Sequence, residues 1–141
     1  MDETATQSLD DFLQRVPYVR FLGMRTELAG DEMTAVLPFS RHLIGNPMLP
    51  ALHGGSTAAL LEMTAIVQVA STFPRLRLPK PINVTVCYLR TGRPKDTHAL
   101  ARIRRAGRRI AHVTVDAWQG DSADPIATLT AHFLLQDEHT Q

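Results

Sequence analysis

The chain has 141 residues, 44% hydrophobic and 21% charged, which suits one globular domain over 1–141 and excludes both a disordered chain and two independent cores. A formal net charge of +1 excludes a global field that would draw nucleic acid or a membrane surface. The single cysteine, Cys87, excludes an internal disulfide framework and makes a reducing compartment, the cytoplasm, the expected location.

The opening MDETATQSLDD is acidic and polar, the opposite of a signal peptide. Residues 1–7 and 137–141 are expected to be flexible. Residues 8–16 predict a short amphipathic helix: Ser8 is the candidate N-cap, Leu9, Phe12, Leu13 and Val16 make the apolar stripe, and Pro17 ends it. Strands are predicted over 23–29 and 32–38, separated by the turn signal Gly30-Asp31. Residues 39–52, with Gly45, Pro47 and Pro50, predict a loop without regular structure.

Residues 55–72 predict a helix closed by Pro74. It is apolar nearly all round, which predicts burial on every face. Its longest apolar run is broken by Glu62 and flanked by loops, so no transmembrane span is expected. The remainder predicts strands over 82–89, 97–105, 108–119 and 126–135, with turns at Gly92-Arg93-Pro94, Ala106-Gly107 and 120–124. Within 108–119 one face holds Ala111, Val113, Val115 and Ala117, and the other Ile110, His112, Thr114, Asp116 and Trp118. Cys87, between Val86 and Tyr88 in a strand-like run, reads as a small core residue more readily than as a nucleophile. An antiparallel sheet with one apolar face must be covered, and the central helix is the only element apolar enough to do it. The predicted fold class is α+β, an antiparallel sheet wrapped around one long helix.

Glu62 is the only acid between Leu43 and Phe73, and no Lys or Arg occurs there. A carboxylate on a buried helix without a local cation carries a desolvation cost of several kcal/mol. That environment suits general-base or nucleophilic work. A plainer reading has Glu62 reaching an edge or pairing with an arginine of the strands. Gly54 and Gly55 stand where the first helical N–H groups lack internal partners, a ready site for a carbonyl oxygen or oxyanion. The plainer reading there is a glycine-rich helix start. Eight residues separate Gly54 from Glu62, about 12 Å along a helix, so one chain cannot aim both at one carbonyl. Two antiparallel copies related by a two-fold axis can.

The run Asn46 … His53-Gly54-Gly55-Ser56-Thr57-Ala58-Ala59-Leu60-Leu61-Glu62 resembles the hotdog-fold acyl-CoA thioesterase superfamily, of the phenylacetate-pathway type. There an HGG motif is followed, nine residues after its His, by a catalytic Asp or Glu. Residues 83–90 resemble that family's central strand, and 104–111 its basic strand-turn-strand. The resemblance spans 17–135. It implies a hotdog fold and hydrolysis of an acyl-CoA thioester. Glu62 would be base or nucleophile, and Gly54 N–H would polarise the carbonyl. His53 would orient the site, and Asn46 would position water or substrate. Asn46 stands one residue farther from the His than in the family pattern, with Pro47 and Pro50 between. The family's Ser or Thr helper has no clear counterpart, Thr64 and Ser71 being candidates.

The same resemblance implies no cofactor beyond the substrate's own coenzyme A, and a homodimer, with a tetramer open. Eleven of the fifteen basic residues lie between Arg75 and Arg109, against one acid, Asp96. Coenzyme A phosphates could be held there, with Arg90, Arg108, Arg109, Asn83 and Gly55 as the candidate binding residues. The plainer reading is a solvated basic hairpin. Nucleic acid fits poorly, because no aromatic residue interleaves the basic cluster. His112, His132 and Asp116 show no compact ligand spacing, so no metal site is expected. Ala58, Leu61 and Ala65, with residues 49–52, would line an apolar acyl or aryl pocket.

Two rival functions remain in view. The run His42-Leu43-Ile44-Gly45-Asn46-Pro47-Met48-Leu49-Pro50 is similar to the loop of hydroxyacyl thioester dehydratases, but the position of their partner carboxylate is Ser56 here. A non-catalytic acyl-CoA-binding hotdog protein is the other, and such a binder has no need of Glu62.

Overall fold

The structure, a computed structural model, describes residues 3–29, 32–73 and 76–135. The expected turn at Gly30-Asp31, the helix stop at Pro74, and of the expected flexible ends 1–2 and 137–141, lie outside those residues.

The chain opens with helix α1 (Glu3–Leu13), which starts five residues before the predicted Ser8. Its apolar stripe is as expected: Leu9, Phe12 and Leu13 are buried. Asp10 holds the helix to the sheet, its Oδ1 accepting from Thr26 N at 2.8 Å and Thr26 Oγ1 at 2.6 Å. Pro17 does not end a helix but opens a second, α2 (Pro17–Leu22). Proline lacks only an N–H that the first helical position leaves unpartnered, and its fixed φ suits that position. Gly23, at φ 79°, caps α2 in the left-handed region that a side chain would strain.

Strands β1 (Arg25–Ala29) and β2 (Glu32–Leu37) follow. The segment expected to be irregular instead holds a 3-10 turn (Arg41–Leu43) and a small hairpin, β3 (Ile44–Asn46) with β4 (Ala51–Leu52). The prolines sit at its tip, where no ladder N–H is required. Next come the central helix α3 (Gly54–Ala70) and four long strands, β5 (Lys80–Tyr88), β6 (Thr97–Ala106), β7 (Ile110–Trp118) and β8 (Ala127–Leu134). Six strands make one antiparallel sheet in the order β1-β2-β6-β7-β8-β5. The alternation read on 108–119 holds: Ala111, Val113, Val115 and Ala117 are buried and their neighbours face out.

α3 lies on the inner face of this sheet, against β6, β7, β8 and β2. Leu60, Leu61 and Val67 share one core with Val113, Val115, Leu129 and Phe133. Each such side chain contributes roughly 1.5–3 kcal/mol by leaving water. This is the hotdog architecture.

Two expectations about burial need correction. α3 is not covered on every face, because Gly55, Ala58, Ala59, Glu62 and Met63 are exposed or only half-buried. Their spacing of three, four, seven and eight residues marks a single stripe along the helix. β5 is likewise bare on both faces but for Val86, and Cys87 is exposed rather than a core residue. β5 is the last strand of the sheet and α3 barely reaches it, so its apolar Ile82, Val84 and Tyr88 stay open in one chain.

Candidate active site

The backbone of His53 is extended (φ −64°, ψ 130°), which makes it the N-cap of α3. Its Nδ1 accepts the Gly55 N–H at 2.8 Å. An accepting Nδ1 carries no proton, so the tautomer has its hydrogen on Nε2. With the Gly55 donor taken, Gly54 N–H is left at the first helical position, where no intrahelical acceptor exists. Ser56, the position that would be acidic in a dehydratase, instead donates its hydroxyl to His53 O at 2.7 Å.

Gly54 opens on a cleft of about 320 Å³, whose apolar walls include Leu49, Leu52, Ile126 and Ala127. Of the residues expected to line an acyl pocket, Leu49, Ala51 and Leu52 do. Leu61 and Ala65 do not, because both are wholly buried between helix and sheet. The expectation placed them a turn too far into the core.

Tyr88 and Thr57 are among the cleft residues that the sequence did not single out. Tyr88, at the end of β5, donates its hydroxyl to Gly54 O at 2.8 Å. Its ring lies so close that a β-carbon on Gly54 would meet it at 3.3 Å. Glycine here serves close approach, and Tyr88 braces the first turn of α3. Thr57, one turn into α3 and itself buried, lines the same cleft. Tyr88 lies inside the strand quoted for the resemblance, but only tertiary structure brings that strand back to the helix start.

The remaining candidates are spread out. Glu62 stands two turns down α3 on the uncovered stripe, outside the cleft, with no hydrogen-bond or ion-pair partner among the described residues. Asn46 turns its Oδ1 back to Met48 N at 2.9 Å, fixing the hairpin whose tip carries Leu49. Asn83 Oδ1 accepts from His132 Nδ1 at 2.8 Å, on the outer face of the sheet. Arg90 lines the cleft and meets Asp124 at 3.3 Å. Arg108 and Arg109 lie at the opposite end of the sheet: Arg109 O bonds Leu135 N, whereas Arg90 N bonds Ile126 O. Nine residues of extended chain separate those anchors, about 30 Å. One chain therefore gathers Gly54, Tyr88, Thr57 and Arg90, and leaves Glu62 and the Arg108-Arg109 pair elsewhere. His42, the dehydratase candidate, has both ring nitrogens engaged, with Ser40 Oγ at 2.8 Å and Phe21 O at 2.7 Å.

Comparison with known proteins gives the family and the fold. Residues 45–134 match the family model described as the acyl-CoA thioesterase N-terminal domain. The medium/long-chain acyl-CoA thioesterase YigI of Escherichia coli strain K12 is 32% identical, over 94% of this chain and 96% of that protein. A solved protein of the thioesterase superfamily superposes with a TM-score of 0.85 at 25% identity, covering 95% of this chain and 100% of its own. The BH2602 protein of Bacillus halodurans, solved with CoA, shares the fold at a TM-score of 0.77 and 19% identity, covering 98% of this chain and 97% of its own. No helix among the described residues is long and apolar enough to cross a membrane.

Proposed function

Since the chain belongs to the hotdog-fold acyl-CoA thioesterases and is a thioester hydrolase, we propose that it cleaves medium to long apolar acyl-CoA esters as a homodimer, with Gly54 of one subunit and Glu62 of the partner subunit meeting at one carbonyl. The observation that carries this reading is the separation within α3. Gly54, whose N–H has no partner among the described residues, lines an apolar cleft, while the only acid of the helix sits two turns away on a stripe that no described residue covers. A second copy, laid antiparallel across that stripe, supplies both the missing cover and the missing acid. It would join through β5, whose outer edge is unpaired among the described residues and whose apolar side chains are open. A tetramer of two such dimers would keep every site intact.

In this site the Gly54 N–H takes the carbonyl oxygen, and the dipole of α3 adds positive potential as negative charge develops there. Glu62 takes a proton from water as the water oxygen adds to the carbonyl carbon. The C–S bond then breaks, the thiolate receives that proton, and an acid and free coenzyme A leave. Direct attack by the carboxylate, followed by hydrolysis of the anhydride, ends in the same products. No cofactor is needed on either route. His53, through its bond to Gly55 N–H, and Asn46, through its turn, are positioning residues for the helix start and the cleft wall. Coenzyme A would be held by Gly55, Asn83, Arg90, Arg108 and Arg109. The cytoplasm, which holds acyl-CoA and keeps Cys87 reduced, is the compartment this reading implies.

The apolar cleft walls and the named substrates of the YigI relative favour an aliphatic chain over an aryl group. Thiol release over a panel of acyl-CoAs tests this. Each methylene leaving water contributes about 0.8 kcal/mol, so kcat/KM should rise roughly fourfold per methylene until the cleft is filled. A panel on which short or aryl esters are the best substrates would contradict the reading.

A further inference from the structure

We propose that the pocket on the outer face of the sheet, beside the β6–β7 hairpin, is a phosphate-binding site in which His112 and His132 act together with Arg105, Arg108 and Arg109. It rests on the thioesterase reading only where coenzyme A is named as the source of that phosphate.

The pocket is an open concavity of about 650 Å³ with three arginines and two histidines on its walls and, among the described residues, no acid. The backbone puts them there. Gly107 N bonds Ile110 O at 2.9 Å, so Arg108 and Arg109 stand at the tip of a tight hairpin. In the ladder, Arg105 lies opposite His112, His112 opposite His132, and His132 opposite Asn83. A single polar row thus crosses β6, β7, β8 and β5 on the face turned away from α3.

Within the row the two imidazoles are stacked, with centroids 4.7 Å apart and planes 12° from parallel. Asn83 Oδ1 accepts from His132 Nδ1, which fixes the proton there and leaves His132 Nε2 uncommitted. His112 Nε2 is buried with no partner among the described residues. Such an orphan is rare in a native protein and marks a place for water, an ion or a ligand. Arg105 stands directly opposite His112, so the same row also carries a guanidinium charge. An anion resolves both features. Three guanidinium forks and an imidazole match a phosphate, which offers several acceptor oxygens and more than one charge, better than a carboxylate.

Within one chain this pocket lies about 30 Å of strand from Arg90 and the cleft. In a dimer joined antiparallel through β5, the Lys80 end of one strand comes beside the Tyr88 end of the other. The phosphate pocket of each subunit then lies toward the same end of the joined sheet as the other subunit's cleft, on the opposite face. The nucleotide end of a substrate would therefore be held by the subunit that contributes Glu62.

Calorimetric binding of coenzyme A, pantetheine (the same thiol arm without phosphates) and inorganic phosphate tests this. Wild type should bind coenzyme A about tenfold more tightly than pantetheine. His132→Ala should remove most of that preference and leave pantetheine unchanged. Arg105→Ala, an exposed change that spares the stack, should act the same way if His132→Ala does not fold. If coenzyme A gains nothing but phosphate still binds through Arg105 and His132, the pocket is a phosphate site for a free anion. Failure of both to bind through these residues overturns the proposal. Hydrolysis of an acyl-pantetheine ester by wild type separately reports on the thioesterase reading, since that substrate carries no phosphate.

Discussion

Replacing Glu62 by Gln should lower kcat for acyl-CoA hydrolysis by about a thousandfold and leave KM little changed, within the range of a positioned general base. The substitution keeps size and hydrogen-bonding capacity and removes only the charge that takes the proton. Glu62 has no partner among the described residues, so its loss leaves no buried cation uncompensated, and stability should hold. If the proposed second copy covers the stripe, Gln is tolerated there more easily than the acid. Steady-state kinetics with a matched unfolding curve check both statements. A variant that keeps wild-type kcat would remove Glu62 from the chemistry while leaving the family assignment intact.

Replacing Gly54 by Pro should cost about a hundredfold or more in kcat, the effect of deleting one oxyanion donor. Proline deletes the N–H itself and little else. It is favoured at the first helical position, and the extended backbone of His53 (ψ 130°) is what a residue before proline requires. The added ring presses on Tyr88, since a β-carbon on Gly54 would meet that side chain at 3.3 Å. Tyr88 is exposed and can give way. Gly54→Ala, which sets the same β-carbon against Tyr88 but keeps the N–H, is the control. If Ala and Pro lose activity alike, crowding and not the donor is responsible.

Much of the fold that carries the candidate site is legible in the sequence. The helix carrying Gly54 and Glu62 announces itself by composition, and the last strands by alternation and by glycine at their turns. Those signals are local. The misses share one physical cause, which is that burial depends on what lies opposite. α3 reads as buried all round, and its stripe at Gly55, Ala58, Glu62 and Met63 is open because no described segment of this chain lies over it. Cys87 reads as a core residue for the same reason and lies on an edge strand. Tyr88 could not be assigned to Gly54 from sequence, since thirty-four positions separate them and only the sheet order joins them. Pro17 misled differently: a helix breaker in the interior is a helix starter at the first position.

The central claim is that Gly54 and Glu62 of different subunits make one active site, and subunit mixing tests it most directly. Glu62→Gln and Gly54→Pro proteins, each inactive alone, are unfolded together, refolded and assayed on an acyl-CoA substrate. If the site is shared across the dimer, half of the randomly re-paired dimers are mixed and each has one complete site, so activity should recover to about a quarter of wild type. If the two groups act within one chain, every site in the mixture lacks one of them, and activity that stays at the level of the separate variants contradicts the account.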